Sequence, residues 1–172
     1  EQITKSAKKI KYIEYSQKIK VNPKVIEAVN SADLIIFSSG SLLTSIAPHL
    51  INKTLAKAIR ASKAPKMYIC NLFTQPGETD NYSVSNHLKT LESYLGKQGI
   101  DVVIANNNML NKDLVNIYQT QEQKDPVIID TDNIEKLGVK IISDNLAKEE
   151  DGCYRHDSLK TAYLIFSYLM NN

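Results

Sequence analysis

Four short clusters of polar residues in this 172-residue chain could do chemistry, and each lies at the end of an apolar run or the start of an amphipathic one. Ser38-Ser39-Gly40-Ser41, with Thr44 and Ser45 close behind, combines a glycine with several hydroxyls. Between a strand and a helix, such a turn points unpaired backbone N–H groups outward and suits a phosphate or another anion. The same residues also fit a plain turn with serine caps. No P-loop lysine follows Gly40, so an ATPase of the Walker type is not supported.

The second cluster is Asn71, Thr74, Gln75, Glu78, Thr79 and Asp80, arranged around the turn signal Pro76-Gly77. It reads either as the rim of a binding cleft or as a solvated loop. In the third, Asn106 and Asn107 could fix a nucleobase or sugar through their amides, or simply form an Asn-rich turn. Arg155-His156-Asp157 is the fourth. Its guanidinium suits a diphosphate, while Asp157 equally suits a helix cap.

Other chemistry finds little support. His49, His87 and His156 are too dispersed for a metal site, and His49 and His87 sit beside apolar stripes where partly buried histidines are expected. Cys70 falls inside a strand, and Cys153 has no neighbour that would make it a nucleophile. No Ser/His/Asp order or carboxylate pair stands out.

The elements that must position these clusters alternate between strands and helices. Lys11–Tyr15 alternates polar and apolar residues, as a half-buried strand does. Asn22-Pro23 starts a helix that runs to about Asn30. Asp33–Phe37 is an unbroken apolar strand, which predicts burial on both faces. A helix follows from about Leu43 to Ser62, with Pro48 in its first turns. Strand Lys66–Asn71, helix Ser83–Leu95 stopped by Gly96, and strand Asp101–Ala105 come next. Leu114–Tyr118 reads as helix, Gln119–Asp125 as a polar stretch and Pro126–Ile129 as a strand. Asn133–Leu137 (helix), Val139–Ile142 (strand) and Ser158–Met170 (helix) complete the order.

That order predicts an α/β fold: three-layer, Rossmann-like, with a mainly parallel sheet and helices on both faces. Ligands of such sheets gather at the carboxyl ends of the strands, where Ser38–Ser45, Asn71–Asp80 and Asn106–Asn108 would meet. A net charge of +2 and lysines clustered only at Lys5, Lys8, Lys9 and Lys11 argue against a nucleic-acid partner. No apolar run reaches membrane-spanning length, and two isolated cysteines fit a reducing, cytoplasmic setting.

Taken together, Asp33–Pro48, Cys70–Asp80 and Arg155–Asp157 resemble the signature blocks of the CofD/YvcK-like family. That family contains 2-phospho-L-lactate transferases and the YvcK-type gluconeogenesis factors. The Asn71-Leu-Phe-Thr-Gln-Pro-Gly-Glu-Thr79 block is the most specific part, and with Ser85-Asn86-His87 it is more similar to the YvcK branch. Where the family usually has Gly-Pro-Gly-Ser-Leu-Tyr, this chain has Ser38-Ser39-Gly40-Ser41-Leu42-Leu43.

The resemblance implies a nucleotide-diphosphate ligand, UDP-N-acetylglucosamine or similar, and a regulatory role in carbon metabolism and cell shape. Its alternative implication is a transferase that uses a nucleotide-diphosphate-linked donor. Gly40, Ser41, Thr44 and Ser45 would lie at the diphosphate. Asn71, Thr74, Gln75 and Glu78 would line the cleft, Asn106 would stand on the same edge, and Arg155 would contact the nucleotide-sugar. A phosphate on Ser158, at a helix start beside Arg155, would alter binding. The family's glycine-rich first half has no match here, so residues 1–172 read as the C-terminal part of the domain. A sheet edge left free by that absence would favour a homodimer.

Overall fold

The structure is a computed structural model, and it describes residues 3, 8 and 10–171. Its centre is a four-stranded, all-parallel sheet of β1 (Ile35–Phe37), β2 (Lys66–Ile69), β3 (Val102–Asn106) and β4 (Lys140–Asp144), in the spatial order β1-β2-β3-β4. Ile36, Met67 and Val102 are in register on one face, and Phe37, Tyr68 and Val103 on the other.

Both faces carry helices, as the strand–helix alternation predicts. Against Tyr68 and Val103 pack α3 (Lys53–Ala61) and α4 (Val84–Leu95), which bring Ile59, Leu88, Leu91 and Leu95 into the larger core. Leu88 and Leu91 are fully buried, so truncating either to alanine costs about 2–5 kcal/mol. Against Met67, Val102 and Ile104 packs the last helix, α7 (Ser158–Met170), through Leu164, Ile165 and Tyr168.

Local chemistry sets the helix ends. Asn22 caps α1 (Pro23–Ser31) by accepting from Lys24 N, with Pro23 at the first position. The long helix expected over 43–62 is divided into three parts. A widened turn over Leu42–Ile46, in which Ile46 N donates five residues back to Ser41 O, leads into α2 (Ala47–Leu50). Asn52 then caps α3 by accepting from Thr54 N and Leu55 N, which restarts the helix. Asn111 caps α5 (Lys112–Glu122), which runs on past Tyr118 into the first residues of the polar stretch 119–125. Those polar side chains are its solvated face.

Three further expectations change. Lys11–Tyr15 forms no strand; Ile13 packs on the core without a ladder partner. Pro126–Ile129 makes only an isolated bridge with Phe73, since proline has no N–H to donate, and lies along the exit of β2 through Val127 N to Leu72 O. β1 is an edge strand with Ile36 43% exposed, not one buried on both faces. After α6 (Thr131–Lys136) and β4 comes an unforeseen antiparallel hairpin, β5 (Ala147–Glu150) and β6 (Cys153–His156). Its turn is Asp151-Gly152, with φ of 51° and 72°, the pairing that two-residue hairpins require.

Candidate binding cleft at the carboxyl ends of the strands

The chain leaving β1 turns through Ser38–Ser41, and the loop leaving β2 grips that turn at two points. The first grip is Asn71, whose side-chain nitrogen donates to the carbonyls of Ser39 at 3.0 Å and Gly40 at 3.2 Å. Its side-chain oxygen accepts from the buried Tyr68 hydroxyl at 2.9 Å. An amide is needed here, because one end must donate while the other accepts.

The second grip is Glu78. Ser41 Oγ donates to its carboxylate at 2.7 Å and Thr44 Oγ1 at 3.2 Å, and the two hydroxyls lie 2.5 Å apart. The widened turn over 42–46 brings Ser41 and Thr44 to one side. Gly40 packs closely here: a Cβ there would stand 3.3 Å from Ser45 Cβ, a tight contact that Ser45 would have to relieve by a small shift. Glu78 is itself held by a compact loop. Gln75 O accepts from Glu78 N at 3.0 Å and Thr79 N at 2.9 Å, and Asp80 accepts from Gly77 N at 2.9 Å.

The structure therefore brings together Gly40, Ser41, Thr44, Asn71 and Glu78. Ser45 is exposed beside them. Thr74 is buried and fastens the loop, donating from its N to Asp125 O at 2.8 Å and accepting from Asp125 N at 2.9 Å. Gln75 contributes its backbone, and its half-buried side chain makes no hydrogen bond among the described residues.

Two residues singled out from sequence make no hydrogen bond to this group among the described residues. Asn106 spends its side-chain oxygen on Leu146 N at 2.9 Å and Ala147 N at 3.1 Å, so it fixes the chain between β4 and β5. It also borders a cavity of about 590 Å³ with Leu72, Asn107, Met109 and Val127, on the far side of the β2 exit from the serine turn. Arg155 is exposed on β6 opposite Lys148 and makes no hydrogen bond or ion pair among the described residues. Ser158 is exposed as the first residue of α7.

Electrostatics set the remaining groups. Burial pushes the Cys70 thiol up to about 12, against hydrogen bonds from Tyr68 and Asn71 that pull it down, so it is no nucleophile. Burial lowers His87, against a hydrogen bond from its Nδ1 to Ser83 O. It likewise lowers His156, whose Nε2 donates to Cys70 O at 3.0 Å and latches β6 to the end of β2. His49 is exposed rather than partly buried. Asp130 is opposed by desolvation, yet hydrogen bonds from Ser85, Asn133 and Ser83 hold it at about 2. Among the described residues, no group of three or more His, Cys, Asp or Glu side chains could hold a metal.

Tyr68 and Asp130 were not legible as parts of this framework. Tyr68 sits in an apolar strand and reads as core; only its hydroxyl, three residues before Asn71, hinted otherwise.

A sequence profile described as 2-phospho-L-lactate transferase CofD matches residues 1–147. The chain belongs to the CofD family. It is 40% identical over 160 residues to the gluconeogenesis factor of Listeria monocytogenes, covering 93% of this chain and 48% of that protein. It is 33% identical over 147 residues to the gluconeogenesis factor of Bacillus subtilis, covering 86% and 46%. A solved protein from Bacillus halodurans shares the fold with a TM-score of 0.90 at 36% identity, over 96% of this chain and 53% of its own. The chain thus spans about half the length of these relatives and matches their C-terminal part. Among the described residues, no helix is long and apolar enough to cross a membrane.

Proposed function

We propose that this protein is a UDP-sugar-binding regulator of the gluconeogenesis-factor type, acting in the cytoplasm on carbon metabolism and cell shape. The observation that carries the reading is the double grip of Asn71 and Glu78 on the Ser39–Thr44 turn. It fixes the Ser39–Thr44 turn at the carboxyl ends of β1 and β2, where sheets of this kind receive nucleotides. In this reading Gly40, Ser41, Thr44 and Ser45 meet the diphosphate, Gln75 and the cavity beyond Leu72 take the nucleoside side, and Arg155 supplies charge from the hairpin. The identity of the chain to two proteins named gluconeogenesis factor supports a regulator over an enzyme.

Calorimetry of the full-length protein with UDP-N-acetylglucosamine and with GDP tests it. The expected result is saturable binding of the UDP-sugar, weakened at least tenfold by Asn71→Ala, with the ligand recovered intact. Absence of nucleotide binding overturns the reading. Consumption of a nucleotide-linked donor instead assigns the site to a transferase.

A further inference from the structure

A separate cavity lies between α4 and the segment of residues 10–22. That segment is fastened as a strap: Ile10 and Ile13 pack on the larger core, the Tyr15 hydroxyl donates to Pro48 O, and Asn52 donates to Ile19 O at 3.2 Å. The cavity has a volume of about 350 Å³ and is lined by Lys11 and Tyr12 of the strap, by Tyr82, and by Asn86, Lys89 and Tyr94 of α4. Leu43 of the widened turn also borders it, but Ser41, Thr44, Asn71 and Glu78 do not.

The lining is rich in hydrogen-bond donors and holds no carboxylate. Asn86 spends its side-chain oxygen on Ser83 N at 3.0 Å and Ser83 Oγ at 2.7 Å, which leaves its nitrogen end to donate. Among the described residues that nitrogen has no acceptor, and neither have the Lys11 and Lys89 ammonium groups or the Tyr82 and Tyr94 hydroxyls. Burial, and then the neighbouring Tyr82, raise the Tyr94 hydroxyl above its ordinary pKa, so it keeps its proton. Glu14 of the strap and Glu92 of α4 both stand outside the lining, and Glu92 accepts from Gln98 N at 2.7 Å. Thr90 and Ser93 are opposite in kind. Their hydroxyls donate to Asn86 O at 3.0 Å and to Thr90 O at 2.6 Å, so what each has left for the cavity is lone pairs.

We propose that this cavity is a second binding site, for a small phosphorylated sugar. A phosphate brings the acceptors that Lys11, Lys89 and the Asn86 nitrogen lack, and its charge makes those hydrogen bonds strong ones. Sugar hydroxyls complete the match, since they donate to Thr90 and Ser93 and accept from Tyr82 and Tyr94. The tyrosine rings offer apolar faces to the C–H face of the sugar ring. Volume agrees, because about 300 Å³ is the lower end for small-molecule sites, which suits a monosaccharide phosphate better than a nucleotide-linked sugar. The site does not depend on the UDP-sugar reading of the cleft, with which it shares no hydrogen-bonding residue.

Calorimetry of the full-length protein with glucose 6-phosphate, glucose and inorganic phosphate tests the proposal. The expected result is saturable binding of glucose 6-phosphate and none of glucose. Lys89→Gln should weaken that binding about tenfold or more, and Tyr94→Phe, which removes one hydroxyl, about fivefold. Lys89 is exposed on α4 and glutamine keeps its helix propensity, so the far-UV circular dichroism should match the parent. Lys11→Gln asks the same question from the strap should Lys89→Gln lose its fold. Saturating UDP-N-acetylglucosamine should leave the affinity for glucose 6-phosphate unchanged. No binding of glucose 6-phosphate overturns the proposal, as it would if the rest of the full-length chain occupied the cavity. So does inorganic phosphate held as tightly as the phosphosugar, displacement by UDP-N-acetylglucosamine, or an affinity that neither lysine variant alters.

Discussion

The Ser41 hydroxyl donates to the Glu78 carboxylate across 2.7 Å, joining two residues that are 37 positions apart in the chain. Because Thr44 donates to the other carboxylate oxygen, Glu78 is the pin that holds the serine turn onto the exit loop of β2.

Glu78→Ala should therefore loosen the turn without unfolding the sheet. Two hydroxyls lose a charged acceptor near the surface, which costs about 1–2 kcal/mol. Glu78→Gln retains one acceptor and should lose about half of that. Urea unfolding at neutral pH, with constant slope, reads the difference.

Asn71 is more demanding. Asn71→Asp replaces a donor with negative charge facing the Ser39 and Gly40 carbonyls, so it should destabilise more than Asn71→Ala, whose cost is about 1–3 kcal/mol. Chemical denaturation of the two variants orders them. An Asp variant as stable as the Ala variant would show that the clamp is not formed in solution.

Acid should weaken the fold in two separate windows. His87 and His156 have folded pKa values below the usual 6.5, because burial disfavours their charged forms. The unfolded chain then binds protons more readily, so their contribution is complete above about pH 6.5 and is lost as pH falls through the lower folded values. Denaturation midpoints from pH 7.5 to 5 should fall, and His87→Gln should flatten that slope.

The second window belongs to Asp130, held at about 2 against an ordinary 3.8. Its contribution is present above about pH 3.8 and disappears as pH drops towards 2. Asp130→Asn should lose on the order of 1 kcal/mol at pH 7 after solvent screening. The same substitution should have little effect at pH 2, which a pair of denaturation curves would establish.

Much of this framework was legible from residue order. Alternating apolar runs and helical stripes gave the parallel sheet, because each β-α unit writes its own local pattern. The contact of the turn with the Asn71–Glu78 loop was anticipated only through the rule that strand ends converge. Legibility failed where tertiary contact overrides local pattern. Ile13 buries itself without a strand partner, and Pro126–Ile129 is apolar for the core's sake while proline bars it from a ladder. Asn106 reads like a ligand group, but its oxygen is committed to Leu146 and Ala147. The Asp151-Gly152 hairpin signal was there to be read and was obscured by the charged residues around it.

The widened turn over Leu42–Ile46 carries one residue more than a regular helix would need. It behaves as a built-in insertion. Deleting a single residue there would restore ordinary pitch and keep the helix that follows, yet rotate the hydroxyls by about 100° away from their carboxylate. The spacing between Gly40 and Pro48 is thus a phase setting.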